Sequence, residues 1–261
     1  MPSVADNGAH AASHRWFYLP SPWPDPGAVV RLPEEEGHHA ARVLRVTRGA
    51  EVVLVDGHGR QCRAVVEQVT GSQVDVRLGR LEAAHGERAQ AGRLGLAWIR
   101  TSVRLEWAIE KAVELGVVGI DLFGAERSVG WRLARAEGKR DRWRRVAKAA
   151  MKQAGRALCP PVALHGDLTE LLAAREGARL ICADPGGEAL TAATLAEAAP
   201  AETLLLVGPE GGWSDGERGR LHQAGAACVT LGPRRLRAET AAALLCGEAA
   251  RVRASTHSQS G

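Results

Sequence analysis

From Arg93 onward the chain alternates short, almost wholly apolar runs with stretches of helical periodicity, and this alternation limits its possible folds more than any other feature. RLGLAWI (93–99), VGIDLF (118–123), ARLICA (178–183), ETLLLVG (202–208) and ACVTLG (227–232) read as strands. Between the first two, SVRLEWAIEKAVELG (102–116) is an amphipathic helix that stops on a glycine. Strands covered on both faces have no polar side to show. Near-continuous apolar strands separated by helices therefore predict a parallel α/β sheet. Ligands of such sheets bind where the carboxyl ends of the strands open onto a crevice.

The preceding stretch follows a different pattern. EVVLVDG (51–57) and QCRAVVEQVT (61–70) flank Gly57-His58-Gly59, a tight hairpin signal, and QVDVRL (73–78) alternates strictly. A small β-barrel is expected. HHAARVLR (38–45) predicts one or two helical turns with Arg42 and Arg45 on one face. LEAAHGERAQAG (81–92) has no sustained period and reads as a connector, and the Ala-, Ser-, His- and Gly-rich ends, 1–14 and 254–261, are expected to fray.

Charge narrows the function. The chain carries only +4 overall, yet Arg127 to Arg156 holds eleven Lys or Arg against Glu137 and Asp141. Charge runs are usually solvated faces, but this one exceeds what solubility requires. A footprint for nucleic-acid phosphates is the preferred reading. Arg142, Arg145 and Lys152 share a helical face within roughly 138–154, with Trp143, Val146 and Ala150 on another, and Arg156 follows. No apolar run approaches a membrane span of about 20 residues, and the start lacks the basic and apolar regions of a secretory leader. Five scattered cysteines without a CxxC argue against a disulfide framework and a structural zinc, and favour a reducing cytoplasm. His38-His39 has no supporting cluster, so no metal is expected. Trp98 and Trp107 read as core; Trp213 fits core, RNA stacking or a subunit contact equally well.

Two loops leave the carboxyl ends of expected strands. In LLLVGPEGGWSDGE (204–217), Gly208, Gly211 and Gly212 allow close approach to backbone, and Ser214 with Glu217 spells a capping box that starts a helix. It is neither a P-loop nor GxGxxG, and Glu210 disfavours a phosphate ligand. In LGPRRLRAETAAALLCGEAA (231–250), Gly232-Pro233 turns the chain, Arg234, Arg235 and Arg237 crowd the loop, and Glu239-Thr240 precedes an Ala-rich helix over 241–250. Alone, the first loop is as well explained by an ordinary strand-to-helix turn, and any one arginine by a solvated turn. Together, at neighbouring strand ends, they point to one shared site.

GPEGG with its S-x-x-E, followed by LGPRxLRxETA, resembles the signature of bacterial ribosomal RNA uridine-N3 methyltransferases, the RsmE-type branch of the SPOUT superfamily. The likeness covers nearly the whole chain. Arg15 to Phe17, His39 to Arg45 and the Asp56-Gly57 hairpin resemble that family's N-terminal PUA-like barrel. KAVELGV (111–117), ERS (126–128), KQAGR (152–156) and Pro160-Pro161 resemble its middle. Arg235 departs from the aliphatic residue usual there.

The resemblance implies a PUA-like β-barrel RNA-binding domain at 14–82, a linker at 83–92, and a knotted SPOUT α/β methyltransferase domain at 93–253. It implies a homodimer and an S-adenosyl-L-methionine (AdoMet) site at Leu206, Gly208, Glu210, Gly211, Gly212, Leu231, Gly232 and Leu236. Arg237 is the expected stabiliser of a uridine anion; Glu239 is expected to orient Arg237 or take the proton, though a carboxylate at a helix N-terminus is equally well explained by the helix dipole. Arg42, Arg45, Arg142, Arg145, Lys152 and Arg156 are the expected RNA contacts, and 16S ribosomal RNA of the small subunit the expected substrate. Methylation of a ribose 2′-hydroxyl or another base, and a non-catalytic ribosome-binding factor, are the competing readings.

Overall fold

A computed structural model of the chain describes residues 15–83, 87, 90–196 and 198–257. Its internal contacts group into two units, Met1–Ala84 with Gly155–Ala157, and His85–Ala154 with Leu158–Gly261. The ends expected to fray at 1–14 and 258–261 lie outside the described residues.

The first unit is built on β1 (Arg15–Tyr18), β2 (Val29–Arg31), β3 (Glu51–Val55), β4 (Arg60–Thr70) and β5 (Gln73–Ala83), hydrogen-bonded in the order β1-β3-β4-β5-β2. β1 runs parallel to β3, and the other pairs are antiparallel. Period-two alternation sends Cys62, Ala64 and Val66 inward from β4, where they join Phe17, Leu54, Val74, Val76 and Leu78 in one core. The β3–β4 turn is the expected hairpin. Asp56 accepts from the amides of His58 and Arg60 at 2.7 and 3.1 Å, while Gly57 and Gly59 take positive φ of 79° and 94°. The expected Arg42/Arg45 face is not formed. Helix α1 (Glu34–His38) loosens into a π turn over His39–Val43, and Arg45 lies beyond it with φ +50°. Both arginines are exposed, on different local geometries.

The second unit holds the parallel sheet. Its elements are β6 (Gly92–Ala97), α2 (Ser102–Glu114), β7 (Val117–Phe123), α3 (Leu133–Glu137), α4 (Arg140–Gln153), β8 (Val162–His165), α5 (Leu168–Ala174), β9 (Arg179–Ala189), α6 (Ala192–Ala196), β10 (Thr203–Val207), α7 (Asp215–Gln223), β11 (Ala227–Thr230) and α8 (Ala238–His257). Strand order is β11-β9-β10-β6-β7-β8, with every neighbouring pair parallel. β10, buried along its whole length, lies inside the sheet between β9 and β6. β9 outruns its apolar run because its register slips. Cys182 faces Cys228, the next rung pairs Glu188 with Val229, and the residues between bulge out of the ladder.

Two expectations need correction here. Trp107 is 41% exposed on α2, whose inward face is Leu105, Ala108, Ile109, Ala112 and Val113. α8 starts at Ala238 and remains helical through His257 instead of fraying from 254. Arg253 anchors its far end, donating from a buried guanidinium to the carbonyls of Gln90, Ala91, Leu195 and Ala198 and to Thr203 Oγ1.

Candidate functional site

The carboxyl ends of β9, β10 and β11 surround a cavity of about 820 Å³. β10 delivers the first wall, Gly208 to Trp213. Pro209 O accepts from the Gly212 amide at 2.8 Å, and Gly212 takes φ +70° to make this turn. Trp213 is core: 1% exposed, stacked 6.1 Å from Phe123, and donating its indole N–H to Ala183 O at 3.0 Å. Gly208 must be glycine for this packing, since a Cβ would lie 2.9 Å from the indole. The capping box is complete. Ser214 Oγ accepts from the Glu217 amide at 3.0 Å, and Glu217 accepts from the Ser214 amide at 2.9 Å.

The loop after β7 clamps this wall from outside. Glu217's second oxygen accepts from the Glu126 amide at 3.0 Å, and Arg127 donates to Gly211 O at 3.3 Å and Trp213 O at 3.0 Å. Arg127 also lines the cavity. The end of β9 supplies Ala183, Asp184 and Pro185. Arg218 donates to Asp184 at 2.8 Å and the Gly186 amide donates at 3.0 Å. Burial pushes the Asp184 carboxyl up, but these donors outweigh it and hold it below the usual range. The third wall is Thr230 to Leu236, with Gly232 at φ +114°, and Ala238 and Ala241 of α8 close one side. Arg235 reaches across to Glu210 O at 3.4 Å, joining the two glycine-containing loops.

Seven of the expected cofactor residues meet on this wall: Gly208, Glu210, Gly211, Gly212, Leu231, Gly232 and Leu236. Leu206 does not. It has no exposed surface and packs with Leu180, Leu204 and Leu221 beneath the cavity, because alternation turns its side chain into the core. Arg237 is exposed between two lining residues, Leu236 and Ala238, but is not itself part of the lining. Glu239 is 8% exposed; its Oε1 faces Arg104 of α2 at 3.6 Å, while its Oε2 is buried with no hydrogen-bond partner among the described residues. Arg127, Asp184 and Arg218 are additions that no local pattern announces, because each reaches the cavity from a separate element.

The basic segment is only partly available. Arg145 is exposed on α4, and Lys152 is half-buried. Arg142 is exposed but forms a two-toothed pair with Glu106 at 2.7 and 2.9 Å. Arg156 is 2% exposed and leaves the set of surface cations. Among the described residues no cluster of three metal-binding side chains occurs, and no helix is long and apolar enough to cross a membrane.

Residues 88–249, more than half of the chain, match the profile of the RNA methyltransferase domain. The chain belongs to the RNA methyltransferase family. Residues 32–79 match the RNA methyltransferase PUA domain, so the family's two profiles follow one another in this chain. The ribosomal RNA small subunit methyltransferase E of Mycobacterium bovis is 37% identical over 240 residues, covering 88% of this chain and 89% of the relative. Its Bacillus subtilis counterpart is 30% identical over 217 residues, covering 79% and 84%. Among solved structures, a methyltransferase from Legionella pneumophila with bound SAM has TM-score 0.79 at 27% identity, covering 93% of this chain and 98% of that one. The ribosomal RNA small subunit methyltransferase E of Neisseria gonorrhoeae bound to S-adenosyl methionine has TM-score 0.78 at 27% identity, covering 89% and 95%.

Proposed function

We propose that this RNA methyltransferase uses AdoMet to methylate N3 of a uridine in 16S ribosomal RNA of the small subunit, as a cytoplasmic homodimer. The observation that carries the reading is the backbone-walled cavity itself, in a chain whose relatives are named for small-subunit ribosomal RNA and whose structural neighbours hold AdoMet. The residues suit that cofactor. The volume falls within the range of about 300–1,000 Å³ typical of small-molecule sites. Two acidic residues, Asp184 and Glu210, and four arginines, Arg127, Arg218, Arg234 and Arg235, line the cavity, so it offers partners to both signs of charge on a zwitterionic sulfonium ligand. Gly208, Gly211, Gly212 and Gly232 offer backbone without a Cβ, and Leu231 and Leu236 offer apolar surface.

When bound, AdoMet supplies a methyl group activated on a sulfonium. The chain's own work is positioning. Arg127 and Trp213 fix the loop that holds the ligand, and α8 closes one side against water. Arg237 stabilises the uridine anion that forms when the N3 proton is removed. Glu239, whose Oε2 is buried with no hydrogen-bond partner among the described residues, orients Arg237 or takes the N3 proton. Arg145, Lys152, Arg42 and Arg45 meet RNA phosphates, and Arg142 joins them by exchanging Glu106 for a phosphate. Domain limits of 14–82 and 93–253 and a trefoil knot that threads α8 complete the proposal. Val103, Trp107 and Leu244, exposed on the packed helices α2 and α8, supply apolar surface for the dimer.

Nucleoside mass mapping of ribosomal RNA from cells with and without the protein tests the reaction. Loss of N3-methyluridine supports it; loss of a 2′-O-methyl nucleoside instead overturns the choice of atom. Calorimetry tests the site. A Cβ at Gly211 would come 3.0 Å from Arg127 Cβ, so Gly211→Val drives the clamp off the loop and AdoMet binding is expected to vanish. Arg237→Ala is expected to keep AdoMet affinity and lose kcat, because it acts on charge that develops in the transition state.

A further inference from the structure

Cys182 and Cys228 are direct register partners on the neighbouring parallel strands β9 and β11. Both side chains lie on the sheet face packed by Leu180, Leu204, Leu206 and Trp213, and the two thiols interact with each other. Strand neighbours stand about 4.8 Å apart, inside the Cα window of about 4.4–6.8 Å that a disulfide requires. Both are free thiols, Cys182 buried and Cys228 half-buried, so only Cys228 meets a dissolved reagent first.

The position of the pair matters as much as its geometry. Directly beyond it the β9–β11 register slips, and Ala183, Asp184 and Pro185 of the bulged part of β9 line the cavity. Two and three residues beyond Cys228, Thr230 at the end of β11 and Leu231 just past it line the cavity. The bulge also folds back on Cys228, for a Cβ on Gly187 would lie 2.5 Å from the Cys228 carbonyl. Drawing the two sulfurs together therefore moves backbone that the cavity wall is made of. The thiols differ in acidity as well. The hydrogen bond with Cys182 brings Cys228 down to about 7, whereas that same bond, together with burial, pushes Cys182 well above the usual thiol range.

We propose that Cys182 and Cys228 form a reversible dithiol–disulfide site oxidised by hydroperoxides, and that its oxidised form weakens the adjacent cavity. The Cys228 thiolate attacks a peroxide oxygen, the O–O bond breaks, and Cys228 becomes a sulfenic acid as water or an alcohol leaves. The Cys182 sulfur then attacks the Cys228 sulfur. An S–S bond forms, and the sulfenic hydroxyl leaves as water with the Cys182 proton. Two thiols are oxidised and one peroxide is reduced. Thiol–disulfide exchange with an added thiol reverses the bond.

The cavity half of this proposal rests on the AdoMet reading above, and the test separates the two. Full-length protein is treated with hydrogen peroxide, digested without reduction and mapped by mass spectrometry. AdoMet affinity is measured by calorimetry before treatment, after it, and after dithiothreitol. The expected results are a Cys182–Cys228 linked peptide pair, an affinity at least about tenfold weaker, and recovery of both on reduction. Cys228→Ser, and independently Cys182→Ala, should form no such link and keep their AdoMet affinity through peroxide, with folding checked by urea titration. A peroxide-treated protein without the link, or with a different one, overturns the dithiol site. A linked protein with unchanged affinity overturns the coupling to the cavity. Reduced protein that never binds AdoMet overturns the cofactor reading, and the peptide map still decides the dithiol site.

Discussion

Asp121 has no exposed side-chain surface on β7, yet it stays charged by gathering three partners. Arg93 donates at 3.0 Å, Arg175 at 2.7 and 3.3 Å, and His165 Nε2 lies 2.9 Å away. Gly119 leaves room for the Arg93 guanidinium to lie against the strand. Burial alone pushes the Asp121 carboxyl up; the His165, Arg175 and Arg93 hydrogen bonds win and hold it well below the carboxylate range. A depressed folded value means that the stabilisation is fully present above the unfolded value of about 3.9 and is lost as pH falls through the folded one. Asp121→Asn leaves the half-buried Arg93 and Arg175 guanidiniums without their carboxylate and is expected to cost about 2–3 kcal/mol in urea titrations at pH 7. The gap to wild type should narrow at pH 3; a gap of equal size at both pH values would show that the carboxylate's charge is not what stabilises. Arg127 makes a second single-residue prediction. Its two bonds to Gly211 and Trp213 carbonyls are partly exposed, so Arg127→Ala should weaken AdoMet affinity about tenfold, or about 1.4 kcal/mol, without changing the urea midpoint appreciably.

At the scale of elements, α7 and α4 separate local from long-range information. The α7 capping box is set by residues three apart, Ser214 and Glu217, and is legible from them alone. Ser214→Ala removes one side of the box, with an expected loss of roughly 1 kcal/mol and nearly unchanged AdoMet affinity. The five apolar strands are legible for a similar reason, since burial on both faces writes itself into each run. β8, an edge strand that is mostly half-buried and ends on His165, escapes sequence reading. The extension of β9 escapes it because Asp184-Pro185-Gly186-Gly187 contradicts strand composition and is held by a register slip. Composition also conceals which cations of the basic stretch face water. Arg156 is buried and Arg142 is neutralised by Glu106, a residue on another helix, whereas Arg145 is exposed on α4. Arg145→Glu therefore tests the RNA face without breaking an internal pair. It should weaken RNA binding and lower the slope of log affinity against log salt by about 0.9 for each phosphate no longer neutralised, leaving AdoMet affinity in place. An unchanged slope would make α4 a solvated face only.

For the whole molecule, the question is whether one chain is the complete enzyme. The family resemblance places the dimer contact on the C-terminal Ala-rich helix, and the structure adds exposed apolar side chains on α2 and α8, among them Trp107, which the sequence reading assigns to the core. Val103 is 75% exposed and Trp107, one helical turn later on α2, is 41% exposed; Leu244 on α8 is 38% exposed. α2 and α8 pack against each other, so these side chains belong to one pair of helices. A two-fold dimer uses the same patch on both copies, which makes a single substitution count twice. Trp107→Glu places two carboxylates, one from each copy, in a surface that must lose water to form, and like charges there have no partner. It is expected to convert the protein to a monomer in light scattering at micromolar concentration, with an unaltered circular dichroism spectrum because Trp107 is not in the core. The cavity should register the change as well. Ala238 and Ala241 line it from the first turns of α8, the helix that carries Leu244, so losing the partner releases a helix that forms part of the cavity wall. AdoMet affinity and turnover should fall together in Trp107→Glu, and Leu244→Glu should reproduce both losses. A wild-type protein that is monomeric and fully active at the same concentration would defeat the dimer. A monomeric Trp107→Glu with normal AdoMet affinity would instead confine the second subunit's role to RNA.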